Sequence, residues 1–111
     1  RRLKARAFVI ATGSRPHIPP VPGLPEAGYL TNEQVFALTQ RPDSLAVIGG
    51  GPIGCELGQA FSRLGSLVTI IASREHILPK EDPEAALVVQ QQFESEGIRV
   101  LTSTRVERIE Q

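Results

Sequence analysis

Gly49-Gly50-Gly51-Pro52-Ile53-Gly54 satisfies the spacing G-x-G-x-x-G and runs straight into Cys55 and Glu56. Glycine loses more backbone freedom on folding than any other residue, so three in a row point to a local need. The pattern alone is weak, and its flanks give it meaning. "SLAVIGG" reads as a strand, and from Pro52 the apolar period becomes helical. A glycine turn between a strand and a helix is the setting in which this motif binds a dinucleotide. There Gly49 makes the tight turn, Gly51 lets a pyrophosphate reach the backbone, and Gly54 lets helix and strand pack closely. The helix start offers free N–H groups and a partial positive charge to the phosphates. The bland alternative is a glycine-rich turn with no ligand. From physics alone, Glu56 either stabilises the helix start or faces the nicotinamide end of the ligand. Cys55 reads as a small buried residue. His17 and His76 lack Cys, Asp or His neighbours at ligand spacing and read as surface residues, so no metal site is expected.

A second group lies at the end of the next strand. Such a strand normally ends in Asp or Glu, about 20 residues past the motif, where the acid bonds the ribose hydroxyls. Here Thr69-Ile70-Ile71 runs into Ala72-Ser73-Arg74, without a carboxylate. Ser73 supplies one hydrogen bond, and Arg74 a charge-assisted, bidentate contact to a phosphate. His76 and Lys80 are further cations of the same loop. NADPH is therefore expected to bind better than NADH. The competing reading makes Arg74 a solvated residue offset by Glu75.

These groups need a scaffold, and the chain supplies its pattern. "AFVIA" (7–11) reads as a strand. The five prolines that follow, up to residue 28, rule out a helix and predict an extended connector. Thr31 or Asn32 is expected to cap a short helix reaching about Leu38. "SLAVIGG" is apolar enough for a strand buried on both faces. The next helix should start at Pro52, stop at Gly65, and bury Ile53, Leu57, Ala60, Phe61 and Leu64. "LVTIIA" (67–72) is a second strand. Asp82-Pro83 starts another helix, with Ala86, Val89, Gln90 and Phe93 inward and Gly97 at its end. "IRVL" (98–101) is a third strand, and Val106–Ile109 begins a fourth. The order β-α-β-α-β with short connections predicts an α/β, Rossmann-like parallel sheet with helices on its faces.

The chain has 111 residues, enough for one modest core, and its twelve basic and twelve acidic residues give zero net charge. Neither nucleic acid nor an anionic membrane is favoured as a partner. The cluster Arg1, Arg2, Lys4 and Arg6 reads as a solvated edge. One cysteine excludes an internal disulfide framework. No apolar run approaches the roughly 20 residues that span a bilayer. A cytoplasmic location is expected. The absence of an initial Met suggests a piece of a longer protein.

"FVIATGSRPHIPPVPG", "GGGPIGCELGQAFSRLGSLVTII", "ILPKEDPE" and "FESEGIRVL" together resemble the pyridine nucleotide-disulfide oxidoreductases, over nearly the whole chain. The mercuric reductase and dihydrolipoamide dehydrogenase branch is the most similar. The resemblance implies a nicotinamide nucleotide domain inserted in an FAD domain, with FAD bound in the parent enzyme only. It implies that residues 1–16, with Ala11-Thr12-Gly13, close the FAD domain. Residues 17–44 are then the connector, and 45–111 an NAD(P)H-binding domain incomplete at its C-terminal end. It implies that Glu56 lies by the nicotinamide and that Ala72 holds the position of the family acid. Where relatives often carry an aromatic or aliphatic side chain near the flavin, this chain has Pro52. The parent would be a homodimer passing hydride from NAD(P)H to FAD. This chain would carry no catalytic residue and be inactive alone, its partners being the parent's FAD and dimer domains. Two other classes stay open. One is the nucleotide domain of an NADH oxidase or ferredoxin reductase-type flavoprotein. The other is a non-catalytic nucleotide sensor, which has no need of the "IATG" segment.

Overall fold

The computed structural model describes residues 1–110. Its elements in chain order are a one-turn helix α1 (Leu24–Ala27), a 3-10 turn (Val35–Ala37), β1 (Ser44–Ile48), α2 (Pro52–Arg63), β2 (Leu67–Ile71), α3 (Pro83–Ser95) and β3 (Arg99–Leu101). The three strands form one parallel sheet in the order β1-β2-β3. Val47 stands opposite Ile70, and Ile70 opposite Val100. The expected β-α-β-α-β order is present, with a helix in each crossover.

Alternation along the strands decides which face carries the core. Leu45 and Val47 of β1, Val68 and Ile70 of β2, and Val100 of β3 point to one side. Cys55 of α2 and Phe93 of α3 cover them. Both helices lie on that side, because Gln59 and Arg63 of α2 reach Glu96 at the end of α3. The α3 cap is as expected: the Asp82 carboxylate accepts from the N–H groups of Glu84 (2.9 Å) and Ala85 (3.3 Å).

Several expectations are corrected. β1 is not buried on both faces, since Ala46 and Ile48 are exposed. It is an edge strand with helices on one side only. The buried stripe of α2 is Cys55 and Gly58, while Ile53, Ala60 and Leu64 are exposed and Leu57 and Phe61 half-buried. Small residues bring the helix onto the sheet there: a Cβ on Gly58 would lie 3.4 Å from Ile70 Cδ1. Residues 7–11 form no strand and are exposed. The proline connector does contain a helical turn, α1, with its proline in the first turn where no N–H is missed. The helix expected from Thr31 to Leu38 shortens to the 3-10 turn, with Thr31 Oγ1 accepting from Glu33 N–H. Val106–Ile109 forms no strand. It runs beside the connector, and Ile109 N–H donates to Pro22 O (2.9 Å).

Candidate functional site

The consecutive glycines meet different constraints. Gly49 has φ +115°, a conformation that L side chains rarely adopt, and its N–H donates to Ile71 O (2.9 Å). Gly50 is buried, and a Cβ there would come within 2.9 Å of Ala72 Cβ and 3.1 Å of Ile77 Cγ2. A Cβ on Gly54 would sit 2.6 Å from Gly49 O and 3.1 Å from Val47 Cγ1. Gly51 has neither constraint: its φ is −78° and a Cβ would meet nothing within 4 Å.

Gly51 is also the N-cap of α2, and no side chain caps this helix. Pro52 carries no N–H, and Cys55 N–H is taken by Gly51 O (3.0 Å). The amides of Ile53 and Gly54 between them are the donors that a helix start leaves unmatched. Cys55 is buried, its thiol 3.6 Å from Gly50 O. Burial pushes the thiol pKa up; the backbone at Leu78 counters this and the Glu56 charge adds to it. Cys55 is thus a packing residue.

The loop after β2 is fastened to the glycine turn. Leu78 N–H donates to Gly50 O (2.6 Å), and Ile77 is fully buried beneath Gly50. The loop after β3 is fastened to the β2 loop in turn. Ala72 N–H donates to Leu101 O (2.7 Å), Thr104 N–H to Ala72 O (3.0 Å) and Ser103 N–H to Arg74 O (2.7 Å). A cleft opens along the C-terminal edge of the sheet, between Ile48, Gly49 and Ile71 on one side and Thr104 and Arg105 on another. Pro20 of the connector and Ser73 also line it.

Of the residues singled out from sequence, Gly49 and Ser73 line this cleft. Pro52 and Ile53 are exposed on the first turn of α2, with Gly51 half-buried beside them, and Glu56 is exposed just beyond that turn. Ala72 is buried and Arg74 exposed outside the lining. Ala11, Thr12 and Gly13 are exposed and do not line this cleft. Thr104 and Arg105 were missed, because they lie in a stretch read as leading into a strand. The signal available was their place just after the third strand, on the sheet edge that carries the glycine turn. No helix among the described residues is long and apolar enough to cross a membrane.

A parallel β-α-β sheet with this glycine turn defines a Rossmann-like α/β fold. The family model for pyridine nucleotide-disulphide oxidoreductases matches residues 1–111, and the chain belongs to that family. It is 42% identical to a mercuric reductase of Bacillus cereus over 99% of this chain and 17% of the relative. The flavoprotein disulfide reductase RclA of Escherichia coli, solved as a Cu(II) complex, superposes with a TM-score of 0.82 at 32% identity, over 88% of this chain and 23% of that one. An engineered water-forming NADPH oxidase bound to NADPH superposes with a TM-score of 0.76 at 28% identity, over 87% of this chain and 23% of that one. The chain thus spans about a fifth of the length of such relatives.

Proposed function

We propose that the chain is the nicotinamide nucleotide-binding part of an FAD-dependent oxidoreductase. The observation that carries this is Gly51. Among the described residues no contact or backbone angle requires a glycine there, and a pyrophosphate lying against the backbone does. The uncapped start of α2 supplies Ile53 and Gly54 N–H groups to its oxygens, with the helix dipole behind them. Gly49, held by Ile71, aims the turn. Glu56 follows just beyond that turn, toward the nicotinamide end. Bound there, the nucleotide supplies a hydride for the flavin of the parent enzyme. The chain's own residues bind and orient it, and residues 1–16 with Ala11-Thr12-Gly13 belong to the flavin-binding part.

The nucleotide we favour is NADPH. Ala72 puts no carboxylate where one would bond a ribose 2′-hydroxyl and repel a 2′-phosphate. The engineered NADPH oxidase carries adjacent Asp-to-Ala, Ala-to-Arg and Met-to-Ser substitutions. Ala72-Ser73-Arg74 has the same three residue types in a different order. That oxidase also has Gly to Ala eighteen residues earlier and Pro to Arg seven later, spacings at which this chain keeps Gly54 and Pro79. Calorimetric titration with NADPH and NADH tests the proposal. Saturable binding of both, tighter for NADPH, is expected. Absence of binding to either would overturn it.

A further inference from the structure

The carbonyl between Gly50 and Gly51 is gripped from outside the glycine motif. Leu78 N–H donates to Gly50 O (2.6 Å), and the Cys55 thiol lies 3.6 Å from the same oxygen. Leu78 reaches that oxygen with φ +52°, a left-handed conformation that costs a non-glycine residue free energy. Among the described residues, Ser103 is the one other non-glycine residue with a positive φ. We propose that Leu78 is a positioning residue for the pyrophosphate of the bound nucleotide, acting through the Gly50-Gly51 peptide. The inference rests on the nucleotide-binding reading above.

Peptide planarity links the grip to the ligand. A trans peptide points its C=O and its N–H in opposite directions, and no described peptide bond is cis. The bond that draws Gly50 O toward Leu78 therefore turns Gly51 N–H away from the β2 loop. That N–H has no backbone acceptor among the described residues, and a Cβ on Gly51 would meet nothing within 4 Å. It joins the Ile53 and Gly54 amides as a free donor at the start of α2. A peptide between two glycines has many other orientations open to it, so it needs an outside hold to keep this one. Gly50 admits that hold: a Cβ on it would come within 3.3 Å of Ile77 Cα, in the backbone that carries the Leu78 N–H. The strained residue is braced on both sides. Ile77 before it is fully buried, and Glu81 N–H donates to Leu78 O (2.9 Å). The half-buried Leu78 side chain packs against the core, which offsets part of the strain.

The test is equilibrium titration of the full-length protein with NADPH, NADH and ADP-ribose, which share the pyrophosphate. Leu78→Asn keeps the left-handed turn but gives up apolar packing, whereas Leu78→Val stays apolar but resists that turn. A third form carries the α-hydroxy analogue of leucine at position 78, introduced by nonsense suppression. It replaces the Leu78 N–H with an ester oxygen and keeps the side chain. The ester form and Leu78→Val should weaken all three probes alike, by about tenfold, the range of one charge-assisted bond. Leu78→Asn should melt at a lower temperature than wild type yet bind within about twofold of it. An ester form that binds as wild type does would overturn the assignment. So would a Leu78→Asn loss equal to that of Leu78→Val, since affinity would then follow packing and not the turn. A loss confined to NADPH would overturn it too, by placing the effect away from the pyrophosphate. A wild-type protein that binds none of the three probes would instead overturn the nucleotide-binding reading, and this inference with it.

Discussion

Gly50 and Gly51 are neighbours under opposite constraints, and a matched pair of substitutions separates them. A methyl on Gly50 runs into Ala72 and Ile77, both buried. Overpacking of that kind costs about 1–3 kcal/mol. A methyl on Gly51 meets open space at an ordinary φ. Its folding cost is about 1 kcal/mol or less, mostly the loss of a favoured N-cap residue. Gly50→Ala should therefore lower the thermal midpoint more than Gly51→Ala does, while Gly51→Ala should weaken nucleotide binding. Thermal melts and calorimetry on the two variants read both effects. A Gly51→Ala variant that binds as the wild type does would remove the reason given for that glycine. The motif was legible in sequence because its spacing and flanks agreed. The difference between Gly50 and Gly51 was not, because it depends on where Ala72 and Ile77 land.

At the scale of elements, two fastenings hold the site in place. Ile77 plugs the space under the glycine turn from the β2 loop and is 0% exposed. Ile77→Ala should cost about 2–5 kcal/mol, as a cavity left in a core does. Urea titration checks this, and a loss below about 1 kcal/mol would mean the loop does not support the turn. The second fastening ties α2 to α3. Arg63 grips Glu96 with two bonds (2.8 and 3.0 Å), and Gln92 and Gln59 add theirs. Those bonds, the Arg63 guanidinium first, hold the Glu96 carboxyl at about 2. A depressed folded pKa stabilises the charged form, so the contribution is complete above the ordinary carboxylate pKa of about 4.3. It is lost as pH falls from there toward about 2. The gap in thermal midpoint between wild type and Glu96→Gln should thus be widest near neutral pH and close across that acid window. It should also shrink with salt, as an exposed pair does. A gap unchanged down to the acid limit would show that the tie is not ionic. Helix ends and strands were legible here, since Asp82, Pro52 and the β-branched runs act locally. The buried face of α2 was not, because Gly54, Cys55 and Gly58 decide it by letting the helix approach, and periodicity counts only large apolar residues.

The whole molecule exposes more than its size calls for. Its radius of gyration is 17.2 Å, against about 13 Å for a compact domain of this length. Its accessible surface is 8937 Å², where a compact monomer of 12.0 kDa exposes about 6000 Å². Residues 1–15 account for part of the excess, since all of them are exposed. Phe8 is 71%, Val9 90% and Ile10 88% exposed, so the apolar run that reads as a strand packs against nothing here. Burying such side chains is worth roughly 1.5–3 kcal/mol each, and this chain gains none of it. Sequence showed that 7–11 is fit to be a strand but not where its neighbours lie. On the proposed reading they lie in the flavin-binding part. Two outcomes follow. Deleting residues 1–13 from the 111-residue chain should leave its thermal midpoint within about 2 °C, because no core residue is removed. Amide hydrogen exchange at residues 7–11 should be fast in this chain alone and slow in the full-length protein, where a sheet would take up their N–H groups. Equal, fast exchange in both would show that this segment is no strand of the larger enzyme. The assignment of residues 1–16 to the flavin-binding part would then fall, while the reading of the glycine turn would stand on its own evidence.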